Sequence, residues 1–230
     1  MDITVEHLCM TYGKGENAFT ALEDINCNIK LGEFVCIMGE SGSGKSTLLN
    51  LIAGFDNATS GRVMCGNTNI IALSEDKRAK FRQDNISFIF QSFCLLNDLS
   101  ALENVMMPLL IKGYSEKKSR ERAIELIESL DLGTKLNNKP EELSGGQQQR
   151  IAIARAIISE GEIILADEPT GKLDSKNAHE VLNILKKVNK ECKKTIIMVT
   201  HSAYASKFAD RIIYLKDGKL INRHDGGEVD

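Results

Sequence analysis

The eight residues GESGSGKS at 39–46 fit the spacing GxxxxGK[ST] in full. In the run Gly39, Glu40, Ser41, Gly42, Ser43, Gly44, the three glycines let the backbone curl. Successive N–H groups can then point inward at phosphate oxygens, with the positive end of a following helix behind them. Lys45 adds a point charge for β- and γ-phosphates, Ser46 a hydroxyl for Mg²⁺, and Thr47 a second hydroxyl for a phosphate. An ordinary glycine turn has no need of a buried strand before it and a helix after it. Both flanks are predicted here: 33–38 (EFVCIM) is an apolar, β-branched run, and 47–53 (TLLNLIA) has helical spacing. The implied chemistry is binding of a nucleoside triphosphate, a property common to kinases, GTPases and motors.

Two further stretches narrow that choice. Residues 143–147 read LSGGQ and run on as QQRIAIARA. Ser144 and the backbone N–H groups of Gly145 and Gly146 therefore stand at a predicted helix N-terminus, a second anion-binding end in the same chain. Residues 163–168 read IILADE, an apolar strand ending in two carboxylates. Consecutive positions near a strand end point in different directions, so Asp167 and Glu168 are suited to different tasks.

Taken in this order, the motifs resemble the ABC ATPase family, whose signature is the LSGGQ pentapeptide; the resemblance spans about residues 2–220. It implies that Ser144, Gly145, Gly146 and Gln147 of one protomer close over the γ-phosphate held by the phosphate loop of another, giving a head-to-tail homodimer around two ATP molecules. It further implies that Asp167 holds Mg²⁺ through water and that Glu168 is the general base for the attacking water. Gln91, after the strand ISFIF at 86–90, resembles the glutamine that contacts Mg²⁺ and that water. His201, after TIIMVT at 195–200, resembles the switch histidine, and Asp174 in GKLDS fits the loop that crosses the dimer interface. Tyr12 resembles the aromatic that stacks on adenine, for which its flat face is suited. The catalytic set implied is Glu168, His201, Lys45 and Gln91, and the metal set Ser46, Gln91 and Asp167.

Within the family, the segments at 88–109, LSGGQQQRIAIARA and LADEPTGKLDS most resemble the lipoprotein-release, macrolide-export and antimicrobial-peptide-resistance group. Members of that group work with an integral membrane permease, whose coupling helix would be received by the groove around Leu95 to Pro108. The resemblance implies a cytoplasmic chain, peripheral on the inner face of the membrane, that hydrolyses ATP to drive export or resistance. Two residues depart from the group: Lys172 where an asparagine is usual, and Ser202 where an aspartate follows the switch histidine.

These residues need a scaffold of a particular kind. Alternating stretches near Ile3–Leu8 and Ala21–Ile29 read as half-exposed antiparallel edge strands. The apolar runs at 33–38, 86–90, 163–166, 195–200 and 212–215 read as buried strands, and helices are expected at 47–53 and 177–192. Strands alternating with helices imply an α/β fold with a mostly parallel sheet. From Leu95 to about Glu160 the pattern is helical, through Val105–Ile111, Ser115–Leu130 with Ser115 as N-cap and Gly133 as stop, and Ser144–Ile158. The reading is a single phosphate-loop ATPase domain, its core at about 1–91 and 160–230 and an inserted helical subdomain at about 92–159.

Composition excludes several alternatives. With 42% hydrophobic and 27% charged residues among 230, neither a disordered chain nor a membrane-embedded one is indicated. The longest apolar runs fall far short of the roughly 20 residues needed to cross a bilayer. The N-terminal MDITVEHLCM has neither the basic start nor the apolar stretch of a secretory signal. Six cysteines without metal-like spacing suggest reduced thiols. A net charge of -3 argues against nucleic acid as a partner. Soluble ABC proteins of DNA and ribosomes carry coiled-coil arms or two ATPase domains, which this sequence lacks, and a sensor that binds without hydrolysis would be expected to lack Glu168 or His201.

Overall fold

The computed structural model describes residues 1–221. In chain order the elements are β1 (Ile3–Tyr12), β2 (Phe19–Ile29), β3 (Phe34–Met38), α1 (Lys45–Ala53), β4 (Ser60–Cys65), β5 (Thr68–Asn69), α2 (Glu75–Asn85) and β6 (Ile86–Ile89). There follow α3 (Ala101–Ile111), α4 (Glu116–Glu128), α5 (Gly145–Ile158), β7 (Ile163–Asp167), α6 (Ser175–Cys192), β8 (Thr195–Thr200), α7 (Ala203–Ser206), β9 (Arg211–Lys216) and β10 (Lys219–Ile221).

The strands form two sheets. The first, ordered β2-β1-β4-β5, is antiparallel throughout. The second, ordered β10-β9-β3-β8-β7-β6, is parallel except for the β9–β10 hairpin. Because successive strand residues face opposite ways, the continuous apolar strands of the second sheet feed two cores at once. Val35, Ile37, Leu165, Ile197 and Val199 face α1 and the inner side of the antiparallel sheet, where Leu48, Leu49, Leu51 and Ile52 meet Ile3, Leu8, Leu22 and Ile25. Phe34, Cys36, Ile164, Ala166, Ile196 and Met198 face the other way, onto Val181, Leu182 and Leu185 of α6.

A third core joins Leu102, Val105 and Leu109 of α3, Ala123 and Ile127 of α4, and Ile151, Ala154 and Ile158 of α5. Helix α5 serves both bodies, since its Ile153 and Ala156 pack into the α6 core. Helix α3 starts in a capping box, with Ser100 and Glu103 each accepting the other's backbone N–H. Asn104 is fully buried and spends its amide on the carbonyls of Leu96, Leu99 and Ser100, which pins the approach to the helix.

The structure corrects four local expectations. β1 is an interior strand, paired with both β2 and β4, so of the two N-terminal strands only β2 is an edge. Helix α2 was not expected, because EDKRAKFRQDN has no apolar stripe. It is held by ions, with Glu75 paired to Arg78 and Arg82, and the Arg82 guanidinium lying 5.1 Å from the centre of the Phe55 ring. Helix α4 stops before Gly133. Asp131 takes a left-handed φ of 59° while the N–H groups of Asp131 and Leu132 return to the carbonyls of Glu128 and Ile127, a closure usually made by glycine. Helix α6 begins at Ser175, earlier than expected, because Asp174 caps it. Among the described residues no helix is long and apolar enough to cross a membrane.

Candidate functional site

Strand β3 ends at Met38, and the chain curls through 39–44 into α1. Gly44 precedes the helix at φ 100°, a conformation that L side chains rarely adopt, and a Cβ there would stand 2.6 Å from the Ala21 carbonyl oxygen. The first turn of α1 leaves its N–H groups without intrahelical partners, facing the loop. Lys45 is buried along its stem, and its ammonium donates to the carbonyls of Gly39 at 3.0 Å and Glu40 at 2.6 Å, across the mouth of the loop. A cation held there by only two carbonyls has a donor left for an anion.

Beside the loop stands the C-terminal end of β7. The Ser46 hydroxyl donates to Asp167 Oδ1 at 3.2 Å. Burial lifts the Asp167 carboxyl above its ordinary range; the Ser46 hydrogen bond opposes this, the neighbouring Glu168 carboxylate adds to it, and Lys45 opposes it again. A hydroxyl and a carboxylate converging on one point, with phosphate oxygens to come from a ligand, suit a hard divalent cation, which typically keeps water and needs only one or two protein carboxylates.

Glu168 has φ 46°, left-handed for a residue with a Cβ, and its N–H donates to the Val199 carbonyl of β8 at 3.0 Å. Such a conformation costs roughly 1–3 kcal/mol and persists only where the surroundings over-determine it. The surroundings here are specific. Oε1 is 2.9 Å from His201 Nδ1, and Oε2 accepts from the Thr200 hydroxyl at 3.2 Å. His201 is largely exposed while the Glu168 side chain is mostly enclosed.

These groups line one cavity of about 790 Å³. Its walls are Glu40, Ser41, Gly42, Gly44, Lys45, Ser46 and Thr47 from the loop and α1, with Gln91, Asp167, Glu168 and His201 from the strand ends and Tyr12 at the far side. Tyr12 is 41% exposed, and its hydroxyl reaches Asp56 at 3.3 Å. Gly39 and Ser43, expected in the binding set, lie behind the wall. Ser43 is buried, and a Cβ on Gly39 would strike the Leu215 carbonyl oxygen, so both shape the loop.

Ser144, Gly145, Gly146, Gln147 and Asp174 are not among the cavity's lining residues. Ser144 and Gln147 form a capping box at the start of α5. Gly146 lets α5 approach α6 so closely that a Cβ would collide with the Asn177 side chain. Asp174 accepts from the Asn177 N–H at 2.9 Å and its side-chain amide at 2.6 Å; the backbone bond, then the side-chain one, holds its carboxyl below the usual range. The chain thus has a phosphate loop with its carboxylates in one place and a second, capped helix N-terminus in another.

Three residues at the site escaped the sequence reading. Phe19, 61% exposed and paired with Tyr12 across β1–β2, and its neighbour Ala21 line the cavity. The turn-rich GKGEN before Phe19 was the available signal, since it folds that aromatic back onto Tyr12. Thr200 is fully buried, and in the sequence it marks no more than the end of a strand.

A curled glycine loop at the end of a parallel strand, with an acidic strand end beside it, defines a phosphate-loop nucleoside triphosphatase. The model of the ABC transporter family matches residues 22–171, and the chain belongs to that family. It is 48% identical over 222 residues, 95% of this chain and 94% of the other, to an uncharacterized ABC transporter ATP-binding protein, MJ0796, of Methanocaldococcus jannaschii. It is 47% identical over 220 residues to the macrolide export ATP-binding/permease protein MacB of Aggregatibacter actinomycetemcomitans, covering 96% of this chain but only 34% of that longer protein. A solved dimeric structure of the MJ0796 cassette, in a post-hydrolysis state bound to ADP and Pi, superimposes with a TM-score of 0.89 at 46% identity, covering 96% of this chain and 97% of that one. The chain is an ATP-binding cassette and an ATPase.

Proposed function

We propose that the cavity takes ATP with its triphosphate in the 39–47 loop and its base against Tyr12, and that Lys45, Gln91, Glu168 and His201 carry out hydrolysis. Mg²⁺, when bound at Ser46, Asp167 and Gln91, supplies charge neutralisation of the phosphate oxygens. Glu168 takes the proton of the attacking water, and Gln91 orients that water. His201 keeps the carboxylate aimed into the cavity and faces the γ-phosphate. Hydrolysis leaves ADP and phosphate, with the proton passed on through the carboxylate.

The second phosphate-binding end, at Ser144–Gln147, belongs to a different ATP site, that of a second copy arranged head to tail. The single observation carrying this is that the signature end of α5 does not line the cavity formed by its own phosphate loop. A solved relative is dimeric, which supports the same reading. Asp174, between Glu168 and α6, then links the two sites.

The membrane partner is a permease. A groove of about 710 Å³ between α2, β6, α3 and α5 is lined by Phe88, Leu96, Met107, Pro108 and Ile111, with Lys80, Gln83 and Lys112 among its polar residues. Ile111 is 63% exposed, and an apolar groove with polar residues around it suits an amphipathic helix of a partner. The cassette would sit on the inner face of the membrane as a single domain, its helices at about 92–159 forming the subdomain that meets the permease. The MacB relatives, named for macrolide export, support export as the direction and a drug-like cargo.

The dimer is tested by cross-linking. Ser43 and Leu143 are buried, so the exposed Ser41 and the partly exposed Gly145 are the positions to change to cysteine, with the exposed Cys94 and Cys192 made serine. A disulfide needs Cα atoms within about 7 Å. Oxidation with ATP should give a covalent dimer, enhanced by Glu168→Gln, while each single-cysteine control gives little. Monomers under every nucleotide condition, in a protein that hydrolyses ATP, would defeat the head-to-tail arrangement.

A further inference from the structure

Both oxygens of Glu168 are held by one short segment, 200–202. His201 Nδ1 is 2.9 Å from Oε1, the Thr200 hydroxyl is 3.2 Å from Oε2, and the Ser202 N–H donates to that same hydroxyl at 3.1 Å. The proton on the Thr200 hydroxyl is thereby assigned. An ionised carboxylate can only accept, the Ser202 N–H can only donate, and a hydroxyl has one proton to give, so it goes to Glu168. The side chain is fully buried at the end of β8, and its β-branching restricts χ1, so the hydroxyl has little freedom to turn away. The Ser202 side chain in turn accepts from the Ala205 N–H and caps α7. A directed chain therefore runs from the capped start of α7 through the Ser202 N–H and the Thr200 hydroxyl to Glu168.

We propose that Thr200 is a positioning residue for ATP hydrolysis, fixing the rotamer of the Glu168 carboxylate through Oε2 while His201 acts on Oε1. This rests on the reading of Glu168 as the general base. The strained backbone of Glu168 makes such an anchor necessary: φ 46° aims the side chain into the cavity but does not by itself choose the orientation of the carboxylate. Each carboxylate oxygen has a further lone-pair site, so the attacking water can still be engaged after both anchors are made. Misplacement of a catalytic group by about 1 Å can cost on the order of a hundredfold in rate.

The test compares Thr200→Val, which keeps the shape and removes the hydroxyl, with Thr200→Ser, which keeps the hydroxyl, in the otherwise unchanged chain. The expected result for Thr200→Val is a kcat about 10- to 100-fold lower, with ATP affinity by equilibrium titration within about threefold, because the hydroxyl touches the base and not the nucleotide loop. Thr200→Ser should recover most of the rate, and Thr200→Ala, which leaves room for a water, should fall between. In a Glu168→Gln background Thr200→Val should change residual single-turnover hydrolysis less than about twofold, since no base remains to be positioned. Wild-type kcat in Thr200→Val, equal losses in Val and Ser, or an undiminished loss on top of Glu168→Gln would each overturn the proposal. Wild-type turnover in Glu168→Gln alone would instead remove Glu168 as base, a separate failure of the underlying reading.

Discussion

The Gln149 side-chain amide donates to the Pro169 carbonyl at 2.7 Å, and both groups are sealed from solvent. This bond ties the second turn of α5, whose N-terminus is the LSGGQ end, to the residue immediately after Glu168. In a head-to-tail dimer it places a rigid link between the surface that meets the partner's nucleotide and the chain's own carboxylates. Gln149→Met removes the donor and leaves the Pro169 carbonyl unpaired, at a cost of about 1–3 kcal/mol. Thermal melting should fall by roughly 2–4 °C for each kcal/mol, and hydrolysis should fall further than ATP affinity. An unchanged melting temperature would show that the bond carries no net stability.

Asp167 should behave as a residue whose function works against stability. Its folded carboxyl titrates above the unfolded value because of burial, eased by Ser46 and aggravated by Glu168. For an acid raised in this way the unfolded chain releases its proton first. Stability is then lost as pH rises from the unfolded value, 3.8, through the folded one, and the cost is fully present at neutral pH. Asp167→Asn removes that cost, so the nucleotide-free protein should melt about 1–4 °C higher at pH 7. It should also lose Mg²⁺-dependent hydrolysis and most of the thermal stabilisation that Mg-ATP gives the parent protein. A lower melting temperature in the apo variant would contradict the assigned direction.

Ser202 stands where the family resemblance leads one to expect aspartate, and its hydroxyl caps α7 by accepting from the Ala205 N–H at 3.2 Å, a duty that aspartate can also perform. Serine and aspartate are of similar quality as N-caps. Ser202→Asp should therefore fold normally and hydrolyse ATP at or modestly above the parent rate, whereas His201→Ala should nearly abolish turnover with nucleotide still bound. Steady-state hydrolysis and equilibrium nucleotide titration of both variants check this, and small, comparable effects would remove His201 from the switch role.

Tyr12 and Phe19 face each other across the β1–β2 ladder, and both line the cavity. Two aromatic faces beside a nucleotide pocket point to affinity for the base, where stacking and burial are worth about 1–3 kcal/mol per aromatic contact. Tyr12→Ala should weaken ATP binding by about 10- to 100-fold with kcat at saturation little changed, and Phe19→Ala should act in the same sense but less. Fluorescent-nucleotide titration separates the two. Unaltered affinity in Tyr12→Ala would make that residue a packing group.

The legibility of this chain in its sequence follows from where its information is local. The glycine loop, the 163–168 strand with its carboxylates and the cap at Ser144 depend on neighbours a few residues away, and they lie where expected. Helix α2 was invisible because what ties it down, the buried Arg78, the Glu75–Arg82 pair, the Arg82 guanidinium near the Phe55 ring and the single packed Phe81, leaves no apolar period in the sequence. The interior position of β1 depends on its pairing with β4, some sixty residues on. Phe19 and Thr200 are ordinary residues in ordinary strands until the hairpin and the parallel ladder bring them to Tyr12 and Glu168. Their contribution is a matter of register, which a linear reading does not contain.

The turn at Phe93 and Cys94, just after Gln91, is held by a side chain of α5. Arg155 of α5 donates to the Cys94 carbonyl at 2.6 Å and the Phe93 carbonyl at 3.0 Å. Phe93 and Cys94 both have left-handed backbones, φ 62° and 48°, an arrangement that two non-glycine residues keep only while something restrains them. Arg155 also forms part of the wall of the groove between α2, β6, α3 and α5 proposed above to receive the permease, and burial lowers the pKa of its guanidinium. The same side chain thus touches both that groove and the loop that follows Gln91. Arg155→Met keeps the length and apolar stem but cannot bridge two carbonyls, so the loop should relax toward ordinary backbone conformations. Amide hydrogen exchange over 91–98 should speed up about tenfold or more, ATP affinity should stay within about threefold, and kcat should fall about 3- to 30-fold as Gln91 loses its placement. Arg155→Lys should recover little of this, because a single ammonium lacks the planar fork that serves both carbonyls. Unchanged exchange in Arg155→Met would show that the loop holds its shape without the arginine.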